Sequence, residues 1–193
     1  MTRNEILNAA AGIIGAKGFE ATSMQDIANA VNLQKASLYH HFSGKQEILL
    51  ALLDHALYLL TDRMEGVRAA ALPPGEKLRQ AMIAYLEIIT AQQGLASVLL
   101  LEYRSLEPDL RRQHVMRRDR FEHLWRDLIV EGKNAGAFHC EDPSLAGRAI
   151  LGVLNWTVTW YRPDGPSSAA EIADQFTNLF LEGLLVRSQE SVD

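Results

Sequence analysis

The sequence predicts an all-α protein of about nine helices, and two observations support this fold class. Apolar residues recur every three or four positions along most of the 193-residue chain, and glycine or proline separates one such stretch from the next. No stretch shows the strict alternation of apolar and polar residues that is typical of a half-buried strand. The composition, 48% hydrophobic and 22% charged, is that of a globular protein.

The first two helices are predicted over residues 4–16 and 24–31. Gly18 follows the first helix, because glycine readily adopts the left-handed backbone that ends a helix. Ser23 precedes the second helix, where its hydroxyl can accept a hydrogen bond from a free backbone N–H. Asn32 follows the second helix and is one of the few non-glycine residue types that tolerate a positive φ.

A third helix is predicted over residues 35–42, with Leu38 and Phe42 on its inner edge. A helix-turn-helix places the outer face of such a helix in the major groove of DNA. The alternative is an ordinary helical hairpin whose polar face meets only water. The outer face would carry one cation and several hydrogen-bond donors, namely Lys35, Ser37, Tyr39 and His40.

The fourth helix is predicted to begin with Ser43 as its cap and to continue to about residue 71, where Pro73 and Pro74 break it. Five further helices are predicted over 75–92, 95–106, 109–134, 143–162 and 168–187, with Gly94, Pro108, Gly136, Pro143 and Pro163 among the residues that separate them. Residues 188–193, after the last of these helices, are expected to fray.

The net charge of −5 is unevenly distributed along the chain. Residues 1–46 carry four Lys or Arg against three Asp or Glu, a balance of +1, with His40 and His41 in addition. The rest of the chain carries 15 basic and 21 acidic residues, a balance of −6. This distribution favours local phosphate contacts by a specific dimer over a general coating of DNA.

The remaining motifs predict no metal site, no cofactor and no catalysis. The six histidines lack the spacing of a zinc site, and neither a glycine-rich phosphate loop nor a Gly-x-Ser-x-Gly turn is present. The single cysteine, Cys140, cannot form an internal disulfide. There is no signal-peptide pattern and no apolar run of membrane length. We therefore expect a cytoplasmic protein that is not an enzyme.

One segment resembles a known family. Thr22-Ser23, the Leu-Tyr-His-His-Phe run at 38–42, Gly44-Lys45 and the turn at 17–22 are together similar to the N-terminal domain of the TetR family of bacterial transcriptional repressors. The resemblance covers roughly residues 4–50. It implies a helix-turn-helix DNA-binding domain over 1–46 and a ligand-binding and dimerisation domain over 47–193.

The resemblance also implies how DNA would be contacted. Lys35, Ala36 and Ser37 would read bases of a pseudo-palindromic operator, since they lie on the recognition helix. The chain departs from the family at Gln34, where serine is common, and at Ala36, where glycine is common. The positions that mostly touch phosphates in the family are Thr22, Ser23, Tyr39, His40 and Lys45.

Seven arginines between residues 104 and 126 have two interpretations. Because acidic residues are interspersed, these arginines can form a solvated helix face with i,i+4 ion pairs. The alternative is that two or three guanidinium groups hold the phosphates of a ligand. The candidates for that second role are Arg104, Arg111, Arg117 and Arg118.

The segment 154–163 combines tryptophans with amide and hydroxyl groups, which is typical either of a core or interface or of a selective pocket. It resembles TetR-family repressors that respond to acyl-CoA thioesters. The resemblance implies a small-molecule effector, an acyl-CoA, that releases the repressor from its operator. The predicted chamber is lined by Met64, Met82, Tyr85, Leu86, Ile89, Leu100, Tyr103, Arg104, Phe121, Trp125, Asn155, Trp156 and Thr159.

A homodimer is predicted through the last two helices, which offer more apolar surface than one thin layer of core requires. Gly183 would permit close helix approach. The residues expected to form this interface are Leu151, Leu154, Val158, Ile172, Phe176, Leu179, Phe180 and Leu184.

Three alternatives to the acyl-CoA repressor remain open from the sequence. The same architecture could sense a free hydrophobic acid or a drug. The chain could be a helical enzyme or small-molecule carrier in which the helical hairpin is incidental. It could also bind DNA without a ligand, under the control of a protein partner.

Overall fold

The computed structural model describes residues 2–182, and over that range it contains nine α-helices and no strand, which confirms the all-α fold. The predicted interface residues Gly183 and Leu184 and the predicted frayed end lie outside the described residues. The helices are α1 (Arg3–Lys17), α2 (Met24–Ala30), α3 (Lys35–Tyr39), α4 (Lys45–Ala69), α5 (Pro74–Ala91), α6 (Gln93–Ser97), α7 (Pro108–Asn134), α8 (Pro143–Trp160) and α9 (Ala169–Glu182).

Local hydrogen bonds define where α2 begins and ends. The Oγ of Ser23 accepts a bond from the backbone N–H of Asp26 at 3.1 Å, and the carboxylate of Asp26 accepts one from the backbone N–H of Ser23 at 2.8 Å. This backbone bond from Ser23, followed by the ammonium of Lys17, lowers the pKa of Asp26 to about 2. Asn32 has a φ of 53°, as predicted for the residue that ends this helix.

Two predicted helix boundaries near the N-terminus are wrong. The third helix ends at Tyr39 instead of 42, and His40 and His41 form a turn; Leu38 and Phe42 are nevertheless buried, as predicted. The cap of α4 is Gly44 and not Ser43, whose backbone N–H and Oγ both donate to Oε2 of Glu47, at 2.7 and 2.9 Å. Ser43 therefore stabilises the first turn of α4 through Glu47, although it lies one residue before the cap.

The fourth helix connects the two parts of the molecule, because it packs against α1 near its start and against α5 and α7 further along. Eight of its apolar residues recur at helical spacing and are buried. They form the centre of a core that extends through the whole described chain. These residues are Ile48, Leu49, Leu52, Leu53, Ala56, Leu57, Leu60 and Met64.

Gly94 does not separate two helices, as the sequence had suggested, but lies inside α6. There α6 crosses α1, and a Cβ on Gly94 would stand 2.9 Å from the backbone oxygen of Ala11. A Cβ on Gly15 would likewise stand 2.8 Å from the Cα of Gly94. The single helix predicted over 95–106 is not observed. In its place, the short α6 is followed by a π-helical segment, Val98–Glu102, and a 3-10 turn, Tyr103–Ser105.

In the part of the chain that the structure describes, no single helix is long and apolar enough to cross a membrane. Only α5 taken together with residues 93–105 reaches the required length and composition, and these two segments meet at 104°.

Candidate DNA interface and effector chamber

The outer face of α3 is the candidate DNA-reading surface. Lys35, Ala36, Tyr39 and His40 are exposed there, and Ser37 is half-buried. Gln34 precedes the helix without forming a side-chain cap, in agreement with its being a poor capping residue. The structure therefore brings the predicted base-reading residues together on one exposed surface.

Two of the predicted phosphate-contact residues have structural roles instead. Thr22 is only 2% exposed, and its Oγ1 donates a hydrogen bond to the carbonyl of Gly18 at 2.8 Å. The Thr22 hydroxyl therefore has a structural role in this turn, and its contact with phosphate stays a prediction. Ser23 is exposed, but its hydroxyl donates to Asp26 at 2.8 Å as part of the cap of α2.

Lys45 is held within the domain as well. Its Nζ donates to the carbonyl of Phe19 at 2.8 Å and lies 4.2 Å from the centroid of the Phe19 ring. Lys17 pairs with Asp26 at 3.0 Å and Arg3 with Glu47 at 3.1 Å. Among the four lysine and arginine residues between positions 2 and 46, Lys35 alone has no ion pair or hydrogen bond to the described chain.

A chamber of about 270 Å³ lies between α4, α5, α7, α8 and the segment after α6. Five of the predicted ligand-binding residues line it: Tyr85, Leu100, Tyr103, Phe121 and Asn155. The sequence does not predict the other seven residues of the chamber wall, although Arg118 is one of the candidates for phosphate binding. These residues are Leu57, Leu60, Leu99, His114, Arg118, Glu122 and Leu151.

The chamber contains a neutral hydrogen-bonded pair. The hydroxyl of Tyr85 donates to Oδ1 of Asn155, and burial raises the pKa of Tyr85. The Asn155 amide therefore retains its N–H donors for another partner. The Tyr85 ring is stacked on Phe121, with centroids 6.2 Å apart, and meets Trp125 edge-on at 6.0 Å.

Five other predicted ligand-binding residues lie in the core and are not part of the chamber wall. Trp125 lies one turn after Phe121 on α7, where it is buried and its ring packs edge-on against that of Phe121. Its indole nitrogen is buried without a hydrogen-bond partner in the described chain. All five pack against neighbouring helices, so their contact with a ligand stays a prediction: Met64, Met82, Leu86, Ile89 and Trp125.

Three further predicted residues lie outside the chamber. Trp156 is 66% exposed on the outer face of α8, and the Thr159 hydroxyl donates to its own helix at the carbonyl of Trp156, 2.7 Å away. Arg104 is exposed and donates from Nε to the hydroxyl of Tyr103 at 3.2 Å. That bond lowers the pKa of Tyr103 and holds the guanidinium on the protein surface.

A polar cavity of about 530 Å³ adjoins the chamber between α7 and α8. The two spaces share Arg118, Glu122 and Leu151 as lining residues. The polar cavity adds the basic side chains of His123, Arg126 and Arg148 and the carboxylate of Asp119. The helical spacing of Ser144, Arg148 and Leu151 on one face of α8 is the sequence signal from which this wall could have been predicted.

The arginines of α7 divide into two groups. Arg118 lies at the junction of the two cavities, with its guanidinium 3.0 Å from Asp119 and 3.2 Å from Glu122. Arg117 instead pairs with Asp54 of α4, so it is directed away from the polar cavity. Arg111 and Arg104 are exposed outside both cavities. The phosphate-binding prediction is therefore supported by position for Arg118 only.

Most of the residues predicted for the dimer interface pack within the protomer. Leu151, Leu154 and Ile172 are buried in the core, so they are not available to a partner chain. Val158, Phe176 and Phe180 are half-buried, and Leu179 is exposed. A different apolar stripe lies on the outer face of α8 and is exposed: Leu145, Ala149, Gly152, Trp156 and Trp160.

These two sites define the class of the protein: a ligand-responsive, DNA-binding transcriptional repressor with a helix-turn-helix domain and a separate helical effector domain. Residues 6–52 match the family model described as bacterial regulatory proteins of the tetR family. Residues 71–184 match the model of the tetracyclin repressor-like C-terminal domain. The chain belongs to the TetR family. Within residues 2–182, no group of three or more His, Cys, Asp or Glu side chains is placed to hold a metal ion.

Three relatives illustrate the similarity. The HTH-type transcriptional repressor KstR2 of Mycolicibacterium smegmatis is 30% identical over 184 residues, which cover 94% of this chain and 90% of that protein. The regulator PfmR from Thermus thermophilus is 40% identical with a TM-score of 0.88, covering 94% of this chain and 99% of the other. AibR in complex with isovaleryl coenzyme A and operator DNA is 28% identical with a TM-score of 0.85, covering 93% and 97%.

Proposed function

We propose that this protein represses transcription from a pseudo-palindromic operator and that an acyl-CoA thioester releases it. The observation that carries the proposal is that a chamber with a wall of leucines and Phe121 meets a polar cavity with several basic side chains at Arg118. An acyl-CoA is bipartite in the same way, since an apolar acyl group is joined to a polyanionic nucleotide. The complex of the relative AibR with isovaleryl coenzyme A and operator DNA supports this assignment.

The acyl group would occupy the chamber among Leu57, Leu60, Leu99 and Phe121. The thioester carbonyl would accept a hydrogen bond from the amide of Asn155, whose oxygen is already occupied by Tyr85. The phosphates would then lie in the polar cavity, where guanidinium groups match phosphate geometry. The basic side chains that line this cavity are Arg118, His123, Arg126 and Arg148, and a phosphate at Arg118 would compete with Asp119 and Glu122.

Release of DNA requires that the effector bind more tightly to the DNA-free conformation than to the DNA-bound one. The segment 93–105 connects the two sites. Leu99, Leu100 and Tyr103 line the chamber, whereas Gly94 of the same segment packs against α1. At its other end, the carbonyl of Ser105 accepts a hydrogen bond at 2.9 Å from Gln46, in the first turn of α4.

The fourth helix provides a second mechanical connection. It begins at Lys45 beside the recognition helix and contributes Leu57 and Leu60 to the chamber wall. A ligand that displaces this wall would tilt α4 and carry the two recognition helices of a dimer out of half-site spacing, about 34–36 Å or a multiple. In this mechanism a small displacement at the chamber is amplified by the length of the helix.

We also propose residues 1–46 as the DNA-binding domain and residues 47–193 as the ligand-binding and dimerisation domain, with α4 belonging structurally to both. The family matches end at 52 and begin again at 71, on either side of the second half of α4. A repressor of this kind acts on chromosomal DNA, so we place it in the cytoplasm. We assign the chamber to binding and not to catalysis, because the Tyr85–Asn155 pair at its centre is neutral and Tyr85 holds its proton more firmly than usual.

Calorimetric titration of the DNA-free protein tests the ligand class. We expect octanoyl-CoA to bind, octanoic acid to bind much more weakly, and Arg148→Ala to weaken the thioester at least tenfold while leaving the free acid unchanged. Arg112→Ala is a matched control, because Arg112 pairs with Asp109 on the exposed start of α7. Equal affinity for octanoic acid and octanoyl-CoA would remove the coenzyme from the proposal and favour a free hydrophobic acid.

A further inference from the structure

His114 is a buried group in the chamber wall that the proposed contacts leave unused. Its side chain is 1% exposed, and its Nδ1 has no hydrogen-bond partner in the described residues. It lies on α7 one turn before Arg118, with its ring 6.1 Å from that of Tyr103. Buried polar atoms in proteins are nearly always hydrogen-bonded, so this nitrogen is placed to take a partner from a molecule in the chamber.

The surroundings of His114 favour the neutral form of its imidazole. Burial lowers the pKa of His114 first, and Arg118 and Arg117 lower it further, while the carboxylate of Asp54 acts in the opposite direction. A neutral imidazole offers one N–H donor and one acceptor nitrogen. His114 is therefore suited to a neutral polar partner such as a carbonyl or hydroxyl oxygen, and not to an anion.

We infer that His114 selects effectors whose acyl group carries an oxygen substituent, so that the preferred ligand is an oxygenated acyl thioester and not a plain hydrocarbon one. This inference rests on the proposed function. The thioester itself would lie near the junction at Arg118 and face Asn155, whereas His114 is about one helical turn, roughly 5.4 Å, away along α7. That distance corresponds to roughly four carbon–carbon bonds of about 1.5 Å.

The size of the chamber limits the acyl group as well. A volume of about 270 Å³ accommodates roughly nine water-sized groups at about 30 Å³ each. An acyl group of about eight carbons with one additional oxygen fills this space. The oxygen would then stand near the fifth carbon, opposite His114.

Matched thioesters test the inference without any change to the protein. Octanoyl-CoA and 5-oxo-octanoyl-CoA share a carbon skeleton and differ by one oxygen. We expect the 5-oxo compound to bind the wild-type protein at least tenfold more tightly, because a site that provides a hydrogen-bonding group discriminates against the analogue that lacks the partner. Equal binding of the two compounds overturns the role of His114 and would indicate that its nitrogen meets only a water molecule.

Variants of His114 locate the effect. In His114→Leu we expect the preference to disappear or reverse, with octanoyl-CoA bound at least as well as by the wild type. His114→Gln keeps a hydrogen-bonding group and should keep part of the preference. Leu57→Val is the matched control, since Leu57 lines the apolar wall and its truncation should weaken both thioesters by the same factor.

The outcomes distinguish a failure of the proposed function from a failure of the selectivity assigned to His114. If neither thioester binds, the proposed function fails. If both bind but His114→Leu weakens them by the same factor, only the selectivity assigned to His114 fails. A preserved tenfold preference in a folded His114→Leu protein also contradicts the inference, because another residue would then be reading the oxygen.

Discussion

At the scale of single residues, equal charges have unequal roles because their neighbours differ. Lys35 is exposed on α3 without an internal partner, whereas Lys45 donates to the carbonyl of Phe19 and stands over its ring. Removing Lys35 changes the DNA-facing surface alone. Removing Lys45 also removes a contact that connects the start of α4 to the loop after α1.

We expect Lys35→Ala to relax base preference at particular operator positions, by about 1–3 kcal/mol each, with the free energy of unfolding unchanged.

Lys45→Ala should weaken binding to all sequences and reduce the slope of log affinity against log salt by about one. It should also lower the melting temperature. Fluorescence anisotropy over a salt series measures both, with Lys133→Ala at the far end of α7 as a control. If neither Lys35→Ala nor Lys45→Ala changes operator affinity, the recognition helix is misassigned.

His114 gives a prediction about pH. Its pKa is lowered on folding, so the unfolded chain takes up the proton first as the pH falls. Its contribution to stability is therefore complete above its ordinary pKa of about 6.5 and decreases as the pH falls below that value. The charged groups around it are Asp54 on α4, which opposes the shift, and Arg117 and Arg118 on α7, which reinforce it.

Urea unfolding at several pH values between 5 and 8 measures this dependence. We expect the decrease in stability below about pH 6.5 to be smaller in His114→Leu than in the wild type. His139→Leu is the control, since His139 is in the loop before α8 and is not part of the chamber. An identical pH profile in His114→Leu and wild type would show that His114 is not the titrating group.

At the scale of helices, the crossing of α1 and α6 depends on two glycines. A Cβ on Gly94 would meet the backbone of Ala11, which cannot move aside as a flexible side chain can. We expect Gly94→Ala to cost about 1–3 kcal/mol of stability and to change operator affinity, because α1 belongs to the DNA-binding domain. Gly12→Ala is the matched control on α1, where a Cβ meets nothing within 4 Å.

Thermal unfolding and operator binding of the two variants distinguish a packing contact from a neutral position. Gly12→Ala should be neutral or slightly stabilising, since alanine is the better helix former. If Gly94→Ala behaves in the same way, the contact between the two domains is not made through this crossing.

The helices also show which features could be predicted from the sequence. The stripe of α4 was predictable because a helical period determines which residues share a face. The role of Gly94 was not, because a glycine that permits close helix packing looks in sequence like a glycine that ends a helix. The chamber wall was predicted only in part, since helix crossing, and not periodicity, decides whether Met82 or Tyr85 of α5 faces the cavity.

At the scale of the whole molecule, the exposed apolar stripe of α8 is the candidate dimer surface. Trp156 and Leu145 are 66% and 64% exposed, and Gly152 between them has open space around it. Together with Leu179 of α9, this surface can form a four-helix interface with a second copy. Such an interface buries roughly 2,000 Å² or more in obligate dimers.

We expect Trp156→Glu to convert the protein to a monomer, because a charge at the centre of an apolar interface loses its water shell without gaining a partner. Sedimentation velocity at micromolar concentration measures this change. Tyr58→Glu is the control, since Tyr58 is 65% exposed on α4, away from α8. A wild-type monomer, or a dimer that persists in Trp156→Glu, would contradict the assignment of this surface.

The central claim is that an acyl-CoA in the chamber releases operator DNA, and anisotropy of a labelled operator complex during titration with effectors tests it most directly. We predict that medium-chain acyl-CoAs release the DNA, that the matching free acids do not, and that Arg148→Ala raises the acyl-CoA concentration needed at least tenfold without changing operator affinity. Release by free acids but not by thioesters, or no release by any acyl-CoA that binds, would contradict the account.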